Sequence, residues 1–200
     1  MAEPVKFYFE FASPYSYFAS FKIHETCEAL GREVVWKPFL LGIAYKTTGS
    51  QPLNTIPMKG EYCMHDWQRM ARFMNVPWTY PGGFPARAQN ACRAFYWIHD
   101  KDPVLAKKFA KEVFMSYFGR GMDFSSADAI AEVAAPLGID HAELLDVLAD
   151  EKIKQRLKDE TQAAVDAGVF GAPYFIVDGE GFWGSDRMWM IRRWIERGGW

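Results

Sequence analysis

The chain has 200 residues, of which half are hydrophobic, 16% aromatic and 24% charged. That is enough apolar material for an ordinary core and excludes a disordered chain. A net charge of −2, with Arg192, Arg193 and Arg197 as the nearest thing to a basic cluster, argues against nucleic-acid binding, and no apolar run approaches the length that crosses a bilayer.

The predicted elements begin with a buried strand over 5–11 (VKFYFEF). Ser13-Pro14 follows, a serine able to cap a helix and a proline suited to its first turn. An amphipathic helix is expected from there to about Leu30, with Tyr17, Phe21, Cys27 and Leu30 on one side and His24 packed inward. A second strand over 33–41 completes a βαβ unit, which should be parallel and right-handed. The next stretch, 42–55, reads as a polar loop.

Helical patterns then run to Gly168. The first opens at Pro57 and is expected to bury Tyr62, Trp67, Met70, Ala71 and Met74. Pro77, Pro81, Gly82, Gly83 and Pro85 interrupt, and helices over 86–100 and 104–118 follow. Another starts at Ser125 or Ser126 and ends before Gly138. Asp140 with Glu143 has capping-box spacing for the next, and a helix over 151–167 ends at Gly168. The β pattern returns with YFIV at 174–177, a turn at Asp178-Gly179 and a partner strand at 181–183. Ser185-Asp186 is placed to cap a last helix that buries Met188, Ile191, Trp194 and Ile195.

The order βαβ, helices, ββα describes an α/β fold: a thioredoxin-like βαβ–ββα core with a large all-helical insertion. The expected division is a thioredoxin-like domain of 1–41 and 169–200 and an inserted helical domain of 42–168, with a cleft at their junction.

Three segments carry the chemistry. In FASPYSY the helix start presents unpaired N–H groups and a partial positive charge, which favour an anion. A redox protein would have Cys-x-x-Cys at this turn; here Ser13 and Ser16 hold that spacing, and serine can neither form a disulfide nor exchange thiols. The hydroxyl of Ser13 could instead donate to a thiolate brought by a ligand, or serve simply as an N-cap. Pro173, after Gly171-Ala172 and before a buried strand, is a candidate cis-proline or a plain strand-entry proline. In WGSDR, Ser185 and Asp186 could meet a ligand's charged end or merely cap the last helix.

FYFEFASPYSY, VFGAPYF and WGSDR together resemble the 2-hydroxychromene-2-carboxylate isomerases, relatives of the kappa-class glutathione transferases and, more distantly, of the periplasmic disulfide oxidoreductases. The resemblance spans essentially the whole chain. It implies a glutathione-dependent isomerase of aromatic hydrocarbon catabolism, interconverting 2-hydroxychromene-2-carboxylate and trans-o-hydroxybenzylidenepyruvate. It makes Ser13 catalytic, places glutathione on Ala172, Pro173, Ser185 and Asp186, and points to a homodimer. Lys46 and Asn54 would meet the aromatic substrate, beside their simpler readings as a solvated loop lysine and a helix cap. Phe84 and Arg87 are candidate pocket-lining residues that could equally be structural. The alternatives are a kappa-like transferase that conjugates electrophiles and a non-catalytic thioredoxin-like binding module.

Other signals are set aside. Gly179-Glu-Gly181-Phe-Trp-Gly184 matches G-x-G-x-x-G, but too few residues follow for a nucleotide-binding unit. The four histidines show no metal-ligand spacing, so no metal is expected. Cys27, Cys63 and Cys92 suit a reducing compartment, and with no basic and apolar leader in MAEPVKFYFE a cytoplasmic location is expected.

Overall fold

The structure is a computed structural model that describes residues 2–200. Strand β1 (Val5–Phe9) pairs in parallel with β2 (Val34–Pro38), in the register Val5 to Val34. On its other side β1 runs antiparallel to β3 (Tyr174–Val177), with Phe7 opposite Phe175. Strand β4 (Glu180–Trp183) closes a hairpin on β3, giving the sheet order β2-β1-β3-β4. Asp178 and Gly179 both adopt positive φ, at 52° and 86°, as a tight turn between right-twisted strands requires.

Alternation along β1 divides the core. On one face Phe7 stacks on Phe175, and Phe7 and Phe9 pack edge-on or tilted against Trp36, Phe95 and Phe114. Tyr8 points to the other, into a smaller cluster with Phe39, Ala44, Ala164 and Val169. Helix α1 (Pro14–Thr26) connects β1 to β2, and seven helices separate β2 from β3: α2 (Leu41–Thr48), α3 (Lys59–Met74), α4 (Gln89–Lys101), α5 (Pro103–Phe114), α6 (Ala127–Ala134), α7 (His141–Ala149) and α8 (Glu151–Asp166). Helix α9 (Met188–Arg197) ends the fold. The result is a thioredoxin-like core of four strands with a helix-rich insertion. One cluster of buried side chains runs from the sheet through α1 into α4 and α5. Tyr96 and Tyr17 fasten the helices to the chain by donating to the carbonyls of Pro38 and Pro77, each at 2.6 Å. No helix among the described residues is long and apolar enough to cross a membrane.

Several expectations need correction. Helix α1 is buried on most sides through Ser20, where α3, α5 and α9 pack on it; beyond that Phe21, Lys22 and Glu25 are exposed, and His24 turns to solvent and pairs with Glu28. Residues 42–55 are not all loop: Leu41, Ala44 and Tyr45 share the inward side of α2, with Ala44 buried and the other two half-buried, while the polar Lys46, Thr47 and Thr48 of its last turn are exposed. Trp67 and Ala71 are buried on α3 as expected, but Tyr62 is 60% exposed and Cys63 takes the inward position in its place. Asp140 caps α7 through Glu143 N–H, but the Glu143 carboxylate reaches Lys101 rather than closing the box. Only Ile191 of α9 is fully buried; Met188, Trp194 and Ile195 pack at the margin. Ser185 and Asp186 do not cap α9. They lie in a single 3-10 turn, Ser185–Arg187, that precedes it. The three cysteines are free and buried, and desolvation pushes all three thiols up, Cys27 to about 12.

Candidate active site

The chain leaves β1 through a tight turn, Glu10 to Ser13, closed by the Ser13 N–H donating to the Glu10 carbonyl at 3.0 Å. Ser13 then caps α1: its Oγ accepts the Ser16 N–H at 3.2 Å, and Pro14 occupies the first helical position. The same hydroxyl donates across the fold to the Ala172 carbonyl at 3.0 Å. Ser13 therefore faces the Ala172-Pro173 bend, whose peptide bond is cis. Ser13 is 8% exposed, which limits approach to one side.

The third segment is tied to the second. Gly184 N–H donates to the Pro173 carbonyl at 3.0 Å, which sets the Ser185–Arg187 turn beside the bend. A Cβ on Gly171 would lie 2.2 Å from Nε1 of Trp183, so that exposed side chain would have to shift to admit one. Ser13, Ala172, Pro173, Ser185 and Asp186, distant in sequence, are thus joined through two hydrogen bonds. Asp186 already pairs with Arg187 at 2.6 Å, so a ligand cation would have to share that carboxylate. The Ala172 N–H has no backbone acceptor among the described residues.

The substrate-side residues are distributed less evenly. Lys46 stands in the last turn of α2 rather than in a loop, exposed and without an ion pair among the described residues. Asn54 does not cap α3, whose N-cap position is Met58. Its side chain lies against the Tyr80 hydroxyl, and its Oδ1 is buried without a partner, a vacant acceptor. Phe84 packs on Tyr80 and Trp67 at 5.4 and 5.5 Å. Trp67 in turn meets Tyr15, two residues beyond Ser13, at 6.2 Å. An aromatic wall therefore runs from the Ser13 turn to Phe84. Arg87 does not join it; its side chain is exposed and its backbone N–H donates to Ser125. A groove of about 500 Å³ opens along α3, lined by Arg72, Asn75, Val76, Trp78 and Tyr80.

Two features escaped the sequence reading. Glu10 is a half-buried carboxyl at the end of β1, accepting the Ala12 N–H at 2.7 Å; burial pushes it up to about 8. Its signal was a lone acid inside an aromatic run. Tyr45, on α2, lies near it and is raised to about 12 by burial. No local pattern marks that tyrosine.

Comparison with known proteins bears on the family and the fold. The family described as DSBA-like thioredoxin domain matches residues 4–196. A protein named glutathione S-transferase kappa 1 from Caenorhabditis elegans is 29% identical, over 94% of this chain and 88% of its own. A 2-hydroxychromene-2-carboxylate isomerase from Pseudomonas putida is also 29% identical, over 94% of this chain and 91% of its own. Among solved structures, that of a 2-hydroxychromene-2-carboxylate isomerase superposes with a TM-score of 0.87 at 26% identity, covering 96% of this chain and 94% of the other.

Proposed function

Since this chain belongs to the DSBA-like thioredoxin domain family, we propose that it is a glutathione-dependent isomerase that interconverts 2-hydroxychromene-2-carboxylate and trans-o-hydroxybenzylidenepyruvate. The observation that carries the reading is the Ser13 hydroxyl aimed at the Ala172 carbonyl, where a redox relative would hold a reactive thiol. When bound, glutathione supplies a sulfur nucleophile that adds reversibly to the conjugated side chain and so frees a double bond to rotate.

The protein's part is to keep that sulfur ionised. Holding a thiol of ordinary pKa, about 8.5, mostly as thiolate at neutral pH needs a shift of about two pKa units, or about 2.7 kcal/mol. A hydrogen bond to a charged acceptor contributes about 1.5–3 kcal/mol, against about 0.5–1.5 for a neutral one. The Ser13 O–H would therefore turn from the Ala172 carbonyl to a thiolate, while its oxygen keeps the Ser16 N–H. The start of α1 adds about 0.3–2 kcal/mol. No separate base is needed. Ala172 and Pro173 offer backbone groups to the cysteinyl unit, and Ser185 and Asp186 take the γ-glutamyl end. Lys46 and Asn54 are assigned to the aromatic acid, with Phe84 as wall and Arg87 at the rim. A cytoplasmic setting in aromatic hydrocarbon breakdown, and a homodimer, go with this reading.

An ultraviolet assay on 2-hydroxychromene-2-carboxylate, with and without glutathione, tests it. Isomerisation that needs glutathione without consuming it supports the proposal; turnover indifferent to glutathione sinks it. A kappa-like transferase is the second reading, because the Caenorhabditis elegans relative is as similar as the isomerase. Accumulation of a thioether product would favour it.

A further inference from the structure

Glu10 stands at the end of an apolar strand, and even a half-buried carboxyl is costly there unless it is paired or neutral. None of the ion pairs among the described residues reaches it, and its side chain has one hydrogen-bond partner, the Ala12 N–H at 2.7 Å. It nevertheless organises the turn that presents Ser13. Its carbonyl accepts the Ser13 N–H, its carboxyl accepts the Ala12 N–H, and its own N–H leans on the Ser16 hydroxyl at 3.5 Å. The titratable groups facing it come from three other elements: Tyr45 on α2, Cys92 on α4 and Tyr117 in the π-helical turn Met115–Gly119. Burial raises all three, so each is uncharged at neutral pH, and none offers a countercharge.

We propose that Glu10 is a positioning residue: its carbonyl on the Ser13 N–H and its carboxyl on the Ala12 N–H fix the turn that presents Ser13, without setting a negative charge beside the thiolate. The proposal rests on the reading that glutathione is ionised at Ser13. Burial outweighs the Ala12 N–H and lifts the carboxyl to about 8, which keeps its proton in place at neutral pH. Above that pH a carboxylate forms one turn of chain from the sulfur, and a like charge disfavours the ionised ligand. Glu10→Gln preserves an acceptor for Ala12 and removes the titration.

Two measurements test this. Carbon NMR of protein labelled at the glutamate carboxyls, without glutathione, follows Glu10 directly, its signal assigned by its loss in Glu10→Gln or, should that variant not fold, by its displacement in Glu10→Asp. A midpoint near 8 supports the proposal, while an ordinary carboxylate midpoint overturns it and leaves the glutathione reading intact. Calorimetric titration with glutathione then compares wild type and Glu10→Gln between neutral and alkaline pH. The wild-type Kd should weaken relative to the variant by about three- to tenfold above pH ~8, as expected for a shift of up to about one pKa unit. A ratio that stays flat with pH overturns the proposal. Failure of both proteins to bind glutathione would sink the functional reading, and the NMR midpoint would still decide the state of Glu10.

Discussion

Two regions border the Ser13 turn, and they are built on opposite plans. The junction of Ser13, Ala172 and Gly184 is polar and made largely of backbone, held by two 3.0 Å hydrogen bonds between segments far apart in sequence. The wall of Trp67, Trp78, Tyr80, Phe84 and Phe118 is all rings, packed at centroid distances of 5.3–6.5 Å. Hydrogen bonds fail steeply with direction, whereas aromatic packing tolerates several arrangements of similar energy. On the proposed reading, the chemistry depends on the first region and the shape of the accepted molecule on the second.

The bluntest way to break the comparison is to remove the support both regions share. Phe114 contacts Phe9, Phe11 and Tyr17, and Phe114→Ala should cost about 3–5 kcal/mol of stability by urea unfolding. Ser13→Ala separates the regions. It should lower glutathione-dependent turnover by roughly 10- to 150-fold, from a lost hydrogen bond of about 1.5–3 kcal/mol to a charged group. Its cost in stability as a lost cap, about 0.5–2 kcal/mol, is read separately by unfolding.

Glu10 sharpens the polar side through pH. Its folded-state carboxyl is raised from 4.5 to about 8, so the folded protein holds a proton the unfolded chain releases. Stability from this group is complete below pH ~4.5 and is lost as pH rises through ~8. Unfolding free energies across that window should fall by roughly 2 kcal/mol, allowing for partial exposure, and Glu10→Gln should remove this slope. On the aromatic side, Phe84→Ala should raise KM by about 5–10-fold and leave kcat nearly unchanged, since a wall binds ground and transition states alike. Lys46→Ala should be the mildest, within about 0.5 kcal/mol in stability, with a higher KM only if Lys46 meets the substrate carboxylate.

The polar junction was largely legible in the sequence, because its parts are local signals: a Ser-Pro helix start, a Gly-Ala-Pro strand entry, and a strand order that brings them together. The Asp178-Gly179 hairpin was legible for the same reason. The burial of α1 was not, since the elements on its second side, α5 and α9, lie far along the chain. Nor was the wall, which draws Trp67 from α3, Phe84 from a loop and Phe118 from the π-helical turn. No spacing rule links such residues. Asn54 looked like a cap because Pro57 suggested a helix start; instead α3 opens at Lys59, which leaves the Asn54 side chain turned toward Tyr80.

The three interior cysteines have a practical corollary. At neutral pH, alkylating dyes and mild oxidants should find almost no reactive sulfhydryl on the native chain, because Cys27, Cys63 and Cys92 are both shielded and un-ionised. The molecule is a silent background for sulfur chemistry: label taken up quickly in its presence reports an added small-molecule thiol, and label on the polypeptide itself reports unfolding.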